Sequence, residues 1–467
     1  MQNLPPFTVW TFLNLVLVIG CAAGTRSWYV AVCADNGHGD AALQVQGDSL
    51  NLHPSEGKRI RARTPPTELD NLAANINDNQ EFRGLAPLAN DEELTAHIAP
   101  GYPWLLSVSA RFPDHADAVM RWLQCTLGAL TAGCYFFFAR RAFQSTFIAT
   151  STGLLIAFYP FWIINTAELN DGVLAGFLVS LCLMLGTRGS QVGGTFTSLF
   201  FGVALAGAAM VRAAFLPLAL VALLWYLWRC RRISLGWFAG FLALVGFING
   251  LAPWAVRNYF LFERPIPIAS STYLHLWMGN NPKATGVTLE EPALRASLPA
   301  DRVKELLDEP NQARRYNRLA ADVWQEVRDH PAETLTRRID AVLTFVLGER
   351  WFKDKRLSVT QDDAERVTAP PEWVTEYAET ILQGTLLSML MLALLGWRFS
   401  HAWRRYGRMA TIAALTIPLP YILGHAETLA GPRLPLDGVL LCFAAFALAT
   451  MIPGVVGSPE SKARTSR

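Results

Sequence analysis

Arginines and carboxylates placed at the ends of long apolar stretches are the chemistry-bearing residues of this 467-residue chain. Glu168 and Asp171 fall in Asn165-Thr-Ala-Glu-Leu-Asn-Asp171, and Arg212 is bracketed by apolar residues. Arg257 and Asn258 close Ala252-Pro-Trp-Ala-Val-Arg-Asn258, while His425, Glu427 and Arg433 separate two late apolar stretches. A polar segment upstream adds Asp40, Asp48, Glu68 and Asp70. Ionisable groups at the ends of apolar spans are costly unless paired, solvated or lining a cavity. Guanidinium groups grip phosphate bidentately and keep their charge, and a carboxylate accepts a proton from an incoming hydroxyl. The set therefore suits a charged phosphate and a polar acceptor meeting at a membrane surface. Taken singly, Asp171 is equally suited to cap a helix, and each arginine to snorkel at an interface.

The elements that must position these residues are membrane spans. Hydrophobic residues make up 52% of the chain and charged residues 17%, with mean hydropathy +0.24. Residues 142–167, 189–211, 233–256 and 438–459 contain no Asp, Glu, Lys or Arg, runs as long as the roughly 20 residues that cross a bilayer. A soluble enzyme, a fibrous protein and a disordered chain are excluded. Ten spans are expected, near 7–24, 118–139, 146–166, 171–187, 194–211, 213–228, 234–254, 380–397, 409–424 and 435–454. Alternate connections and the C-terminal tail hold 13 Lys and Arg, among them Arg140, Arg141, Arg188, Arg229 and Arg398, against one acid, Glu460. By the positive-inside rule those segments are cytoplasmic, as are both termini. The first apolar stretch has no Lys or Arg before it and is long enough to span, so it is read as an anchor, not a cleaved signal. Residues 1–24 then form the first span and 25–117 a first outer loop. Residues 118–254 hold spans two to seven, 255–379 a second outer region, 380–457 the last three spans, and 458–467 a cytoplasmic tail. In the second outer region, Tyr316, Leu319, Ala320, Val323, Trp324 and Val327 recur at helical spacing, as do Leu335, Ile339, Val342, Leu343 and Val346. The second stripe has Glu333, Arg337, Arg338 and Asp340 on its other face. A small packed subdomain is expected there, with a helix lying on the membrane surface as the alternative.

A net charge of +2 gives no reason to expect nucleic acid. The sequence has no phosphate-binding Gly-x4-Gly-Lys-Ser/Thr, no His-Glu-x-x-His and no Cys-x-x-Cys. His38 and His53 are scattered in a Gly-rich loop, so no metal site is expected and no cofactor is required.

The order of elements resembles the GT-C membrane glycosyltransferases, nearest to glycosyltransferase family 39. That family holds the dolichyl-phosphate-mannose–protein mannosyltransferases and the bacterial aminoarabinose-transferase-like proteins. Ala99-Pro-Gly-Tyr-Pro103 is similar to the Pro-Pro-Gly-Tyr-Pro stretch of bacterial members, and Thr166-Ala-Glu168 to the family's Thr-Glu loop. Arg212-Ala-Ala-Phe-Leu-Pro217 resembles the Arg-Pro start of the sixth span. Ala252-Pro-Trp-Ala-Val-Arg-Asn-Tyr259 is similar to the exit of the seventh, and Ile266-Pro-Ile268 and Trp277-Met-Gly-Asn-Asn-Pro282 follow it as in bacterial members. His425-Ala-Glu427 and Gly431-Pro-Arg-Leu-Pro-Leu-Asp437 resemble the entry to a late span.

The resemblance implies an all-α polytopic membrane protein, a GT-C-like bundle of about ten helices with two periplasmic loop regions, in a bacterial inner membrane. It also implies transfer of one sugar from a polyprenyl-phosphate donor to a glycan, lipid or protein acceptor on the outer face, with inversion. In relatives the base is an Asp soon after span one. Here Pro66–Ile76 resembles the helix that follows it, which makes Glu68 or Asp70 the nearest acid, with Asp48 behind them. Glu168 would orient hydroxyls, and Arg212, Arg257, Asn258, Arg433 and Tyr102 would bind donor phosphate and sugar. Ala99 replaces the basic residue found beside the Pro-Pro motif in aminoarabinose transferases, so a lipid A-type acceptor is not implied. A non-catalytic relative that binds lipid-linked sugar is the rival reading. A transporter is less favoured, because the span centres are nearly bare of polar groups.

Overall fold

The computed structural model describes residues 7–36, 43–45, 50–52, 68–79, 81–112, 115–192, 194–232, 236–286, 289, 291–347, 372–400, 407–426 and 431–452. They are overwhelmingly helical. In chain order the helices are α1 (Val9–Asn36), α2 (Glu68–Asn79), α3 (Gly101–Ser109), α4 (Ala116–Phe143), α5 (Thr146–Phe158), α6 (Pro160–Ala167), α7 (Gly172–Val192), α8 (Thr195–Val211), α9 (Leu216–Cys230) and α10 (Gly236–Phe262). Then come α11 (Thr272–Asn280), α12 (Glu291–Ala296), α13 (Ala300–Leu307), α14 (Gln312–Asp329), α15 (Pro331–Leu347), α16 (Glu372–Phe399), α17 (Arg408–Thr416), α18 (Leu419–Leu423) and α19 (Leu434–Thr450). Two short antiparallel ribbons complete the set: β1 (Leu43–Val45) with β2 (Leu50–Leu52), and β3 (Arg83–Gly84) with β4 (Glu93–Leu94).

Among the described residues, seven helices are long and apolar enough to cross a membrane: α1, α4, α7, α9, α10, α16 and α19. The bent pair α5–α6 makes an eighth candidate, broken by 47° at Pro160. The remaining two of the ten expected spans fall on α8 and on Arg408–Leu423, which are apolar but shorter than a full crossing. Small residues hold the bundle together. A side-chain carbon added at Gly202 of α8 would stand 2.0 Å from the Ala243 carbonyl of α10, and one at Gly246 of α10 would stand 2.3 Å from the Leu199 carbonyl of α8. Reciprocal glycines let the two backbones touch, which drives helix association where lipid removes the hydrophobic incentive.

The α5–α6 break is repaired from α1. Pro160 carries no N–H, so carbonyls of the preceding turn lose their helical partners. In lipid each unsatisfied carbonyl costs several kcal/mol. Arg26, fully buried, donates to Ile156 O (3.1 Å) and Ala157 O (3.4 Å), and Thr25 Oγ1 donates to Ala157 O (2.9 Å). The first helix therefore continues well past residue 24, and its one arginine is a clamp inside the bundle.

Between Leu274 and Val323 lies a small packed subdomain, as expected. Leu274, Trp277, Leu294, Leu306, Tyr316, Leu319 and Val323 share one core, which also takes Leu88 from the first outer loop. Two details depart from the sequence reading. Trp324, read as part of the buried stripe of α14, is 60% exposed. In α15 Leu335, Ile339 and Leu343 are exposed, and of the polar residues Arg337 is buried while Glu333 and Asp340 are exposed. The arginines turn inward because they have partners there. Arg337 donates to Glu326 (2.9 Å) and Asn280 O (3.2 Å). Arg338 donates to Ile422 O, Gly424 O and Gly279 O.

Candidate active site

Helix α2 brings Glu68 to the site from its first residue. It packs on α3, and Leu69 and Ala73 join Tyr102, Leu106 and Met120 in an apolar cluster that also takes Leu169 and Leu174 at the start of α7. Helix α3 in turn abuts the end of α8. A side-chain carbon at Gly101 would stand 2.9 Å from Met210 O and from Val211 Cγ2, immediately before Arg212. These contacts tie the Ala99–Pro103 stretch, the Thr166–Asp171 loop and Arg212 into one neighbourhood.

The Glu68 side chain is 40% exposed, and its Oε1 meets Nε2 of His97, which is buried. Asp70 lies on the same helix, but its side chain is outside the described set, and Asp40 and Asp48 lie outside the described residues. Tyr102 is buried and donates to Gln124 Oε1 (3.2 Å). Gln124 Nε2 in turn donates to the carbonyls of Thr166 (2.9 Å) and Glu168 (2.7 Å). Tyr102 thus sets the loop that carries Glu168, whose side chain is half-buried.

Arg212 sits where α8 ends. Its backbone is extended (φ −144°, ψ 110°), and the chain turns through a single 3-10 turn, Ala213–Phe215, into α9, which starts on Leu216-Pro217. The guanidinium lies against Asp171. Nε donates to Oδ2 at 2.8 Å, a second nitrogen donates to Oδ1, and the third donates to Tyr421 Oη at 3.0 Å. The side chains of the pair are 14% and 17% exposed, so it is neither buried nor free. Asp171 turns both carboxylate oxygens to Arg212, while Asn170 Oδ1 accepts the Gly172 N–H (2.9 Å). Bidentate pairing with Asp171 fixes the plane of the guanidinium and offsets its charge, while both side chains keep partial access to solvent.

The other arginines expected to bind donor are placed differently. Arg257 donates to Thr95 O (2.7 Å), Phe82 O (3.2 Å) and Asn258 Oδ1 (2.9 Å), and lies 4.5 Å over the Trp254 ring. Asn258, fully buried, donates to Ile266 O (3.1 Å). Both hold loop backbone. Arg433 is 4% exposed and bonds Asp437 through Nε (3.0 and 3.2 Å) and Val346 O (2.8 Å). Asp437, fully buried, also accepts from Tyr159 (3.1 Å). This cluster adjoins the Arg212 group, because Phe345, next to Val346, stacks on Tyr421 at 5.1 Å.

His425 is buried and its Nε2 faces Nδ1 of His275 at 2.9 Å. Burial, with Arg338 adding to it, pushes His425 down to about 4. Glu427 lies outside the described residues, as do His38 and His53. Among the described residues, no group of three metal-ligating side chains occurs. Sequence reasoning missed His97, Thr95, Gln312, Tyr421 and Arg26. Of these only His97, two residues before the Ala99–Pro103 stretch, stood near a motif.

No protein-family model matches the chain, and no curated protein matches it at a significant level. Among solved structures it is similar to ArnT from Cupriavidus metallidurans bound to undecaprenyl phosphate, with 14% identity and a TM-score of 0.34, over 95% of this chain and 79% of that one. The same protein in the apo state gives 13% identity and a TM-score of 0.32, over 94% of this chain and 78% of that one.

Proposed function

We propose that this chain is a membrane glycosyltransferase that moves one sugar from a polyprenyl-phosphate donor to an acceptor hydroxyl. The reaction takes place at the end of the bundle that carries α2, α3 and α11–α15, which the charge asymmetry of the loops assigns to the periplasm. The observation that carries this reading is the accessible Arg212–Asp171 pair, in one neighbourhood with the partly exposed carboxylate of Glu68.

The chemistry balances with those groups alone. The acceptor oxygen attacks the anomeric carbon as its proton passes to Glu68. The bond from that carbon to the phosphate oxygen breaks, and the electron pair leaves with the polyprenyl phosphate. The leaving group is already stable as an anion, so no general acid is needed, and positive charge beside it lowers the barrier. Arg212 supplies that charge, with Asp171 and Tyr421 holding its plane. Glu168, presented by the Tyr102–Gln124 contact, orients sugar or acceptor hydroxyls. Arg257, Asn258 and Arg433 act indirectly, by holding the loops and α19 in place.

Two measurements test this. Mass spectrometry of envelope glycans, glycolipids and glycoproteins, with and without the protein, identifies the product. Purified full-length protein in nanodiscs is then given undecaprenyl-phosphate-linked hexoses and pentoses, and release of undecaprenyl phosphate is followed. Arg212→Ala should abolish release while the protein remains folded and inserted. Unchanged turnover would reject the role of Arg212, and no donor consumption by the wild type would favour a lipid-sugar-binding scaffold.

A further inference from the structure

Behind Glu68 lies a chain of side chains whose hydrogen-bond directions are all determined. It starts at Arg315, which is buried and grips both oxygens of Glu93 (2.7 and 3.0 Å). Glu93 Oε1 accepts from Gln312 Nε2 at 3.0 Å. The Gln312 amide has a single allowed orientation, because its Oε1 accepts the backbone N–H of Ala96 (2.9 Å) and the Ser270 hydroxyl (3.0 Å). Its second N–H therefore goes to Thr95 Oγ1, at 2.8 Å. Thr95 Oγ1 also accepts the backbone N–H of His97 (3.2 Å).

A hydroxyl has one proton and two acceptor positions. Both acceptor positions of Thr95 are filled, so its proton must point to the remaining neighbour, His97 Nδ1, at 2.5 Å. Nδ1 is then an acceptor without a proton, and in the neutral ring the proton sits on Nε2. That nitrogen faces Glu68 Oε1. The second nitrogen of a histidine is commonly set by what the first one meets. Here six residues from three separated stretches of chain, 93–96, 270 and 312–315, meet to set it.

We infer that His97 is a positioning residue for Glu68, held as the Nε2–H tautomer by Thr95 and Gln312. Its donated hydrogen bond occupies Oε1 and leaves Oε2 as the oxygen open to an acceptor hydroxyl. This deepens the proposed transfer reaction and rests on Glu68 being its base. The arrangement reverses the familiar order in which a carboxylate orients an imidazole: the imidazole orients the carboxylate. A base must lie within hydrogen-bond reach of the proton it takes, and a free Glu at the start of a helix has several rotamers. Locking one oxygen selects the rotamer before substrate arrives. Residues 95–97 are themselves stapled, since Ser271 donates to His97 O (2.6 Å) and Arg257 to Thr95 O (2.7 Å).

The test uses full-length protein in nanodiscs and has two arms. In the first, 15N-histidine-labelled protein is examined without ligand, and the His97 signals are assigned by their loss in His97→Gln. A protonated Nε2 and a bare Nδ1 are expected, with the Nδ1 signal shifting in Thr95→Val as its hydrogen bond is lost. In the second, turnover is followed with the undecaprenyl-phosphate-linked sugar that the wild type accepts. Thr95→Val should lower kcat about tenfold with KM unchanged, since a small misplacement of a reacting group costs up to about 10²-fold. Thr95→Ser should restore it, and Glu68→Gln/Thr95→Val should be no slower than Glu68→Gln alone. A proton on Nδ1 in the wild type overturns the inference, as does wild-type turnover by Thr95→Val beside an inactive Glu68→Gln. If Glu68→Gln turns over normally, the base assignment falls, while the tautomer arm still decides the placement of the proton.

Discussion

Replacing Asp437 by Asn separates a structural role for Arg433 from the donor-binding role that its motif implies. The pair is almost sealed, with Arg433 at 4% and Asp437 at 0% exposure. The carboxylate neutralises a guanidinium that also meets the Tyr159 hydroxyl, and whose further contacts include a carbonyl, Val346 O at 2.8 Å, and the face of Phe161 at 5.0 Å. None of these neutral groups offsets a full charge in a low-dielectric setting. Removing one member of a buried ion pair costs about 3–5 kcal/mol, mostly because the survivor is left uncompensated. Asp437→Asn keeps the shape and the Tyr159 contact, so nearly all of the loss is electrostatic. Arg433→Met should cost a similar amount by stranding the carboxylate. Arg433→Met/Asp437→Leu removes both charges, and apolar replacements of buried pairs are commonly neutral. The double variant should therefore recover most of the loss seen in either single variant. Thermal unfolding of detergent-purified protein, followed by the fraction still eluting as a monodisperse peak, reads this directly. Asp437→Asn melting with the wild type would refute the argument, and so would a double variant no better than the singles.

Three further outcomes follow from the same structure. Arg26→Met strands the carbonyl of Ile156 at the α5–α6 break and leaves Ala157 O to Thr25 alone, and should destabilise by about 1–3 kcal/mol, read as a lower melting point. Gly279→Ala would place a carbon 1.6 Å from Gly424 O, so the α11 contact with that loop must open; the variant should melt early and expose Cys-labelled sites on α11. His425 is held near 4, below its ordinary 6.5, so between those values the unfolded chain binds a proton that the folded one does not. Its contribution is complete above pH 6.5 and is lost as pH falls toward 4, by about 3 kcal/mol at most. His425→Gln should flatten that part of the stability-against-pH curve.

The span pattern was readable because a bilayer imposes a length and forbids charge, and both are properties of consecutive residues. The outer subdomain was less so. In α15 the repeat of Leu335, Ile339 and Leu343 announces a helix but not which side faces in, since periodicity carries no sign. Arg337 and Arg338 decide it by finding Glu326 and the carbonyls around Gly424, residues up to 86 positions away. By sequence Arg26 opens a loop, because its carbonyl partners belong to a helix more than a hundred residues later. No local window holds that information.

The arginines at the span ends make the same point about the site. By sequence Arg212, Arg257 and Arg433 are equivalent: each follows or precedes an apolar stretch, and each falls in a motif resembling the same family. What separates them is what the fold leaves open. Arg257 is consumed by two loop carbonyls and an aromatic face, and Arg433 is sealed with its own counter-charge. Arg212 alone of the three is held by a carboxylate while both side chains keep some contact with solvent. Guanidinium groups are used as readily to hold backbone as to hold phosphate, because a carbonyl and a phosphate oxygen satisfy the same N–H. Residue type and position therefore nominate candidates for anion binding, and the exposure and counter-charge of each side chain select among them.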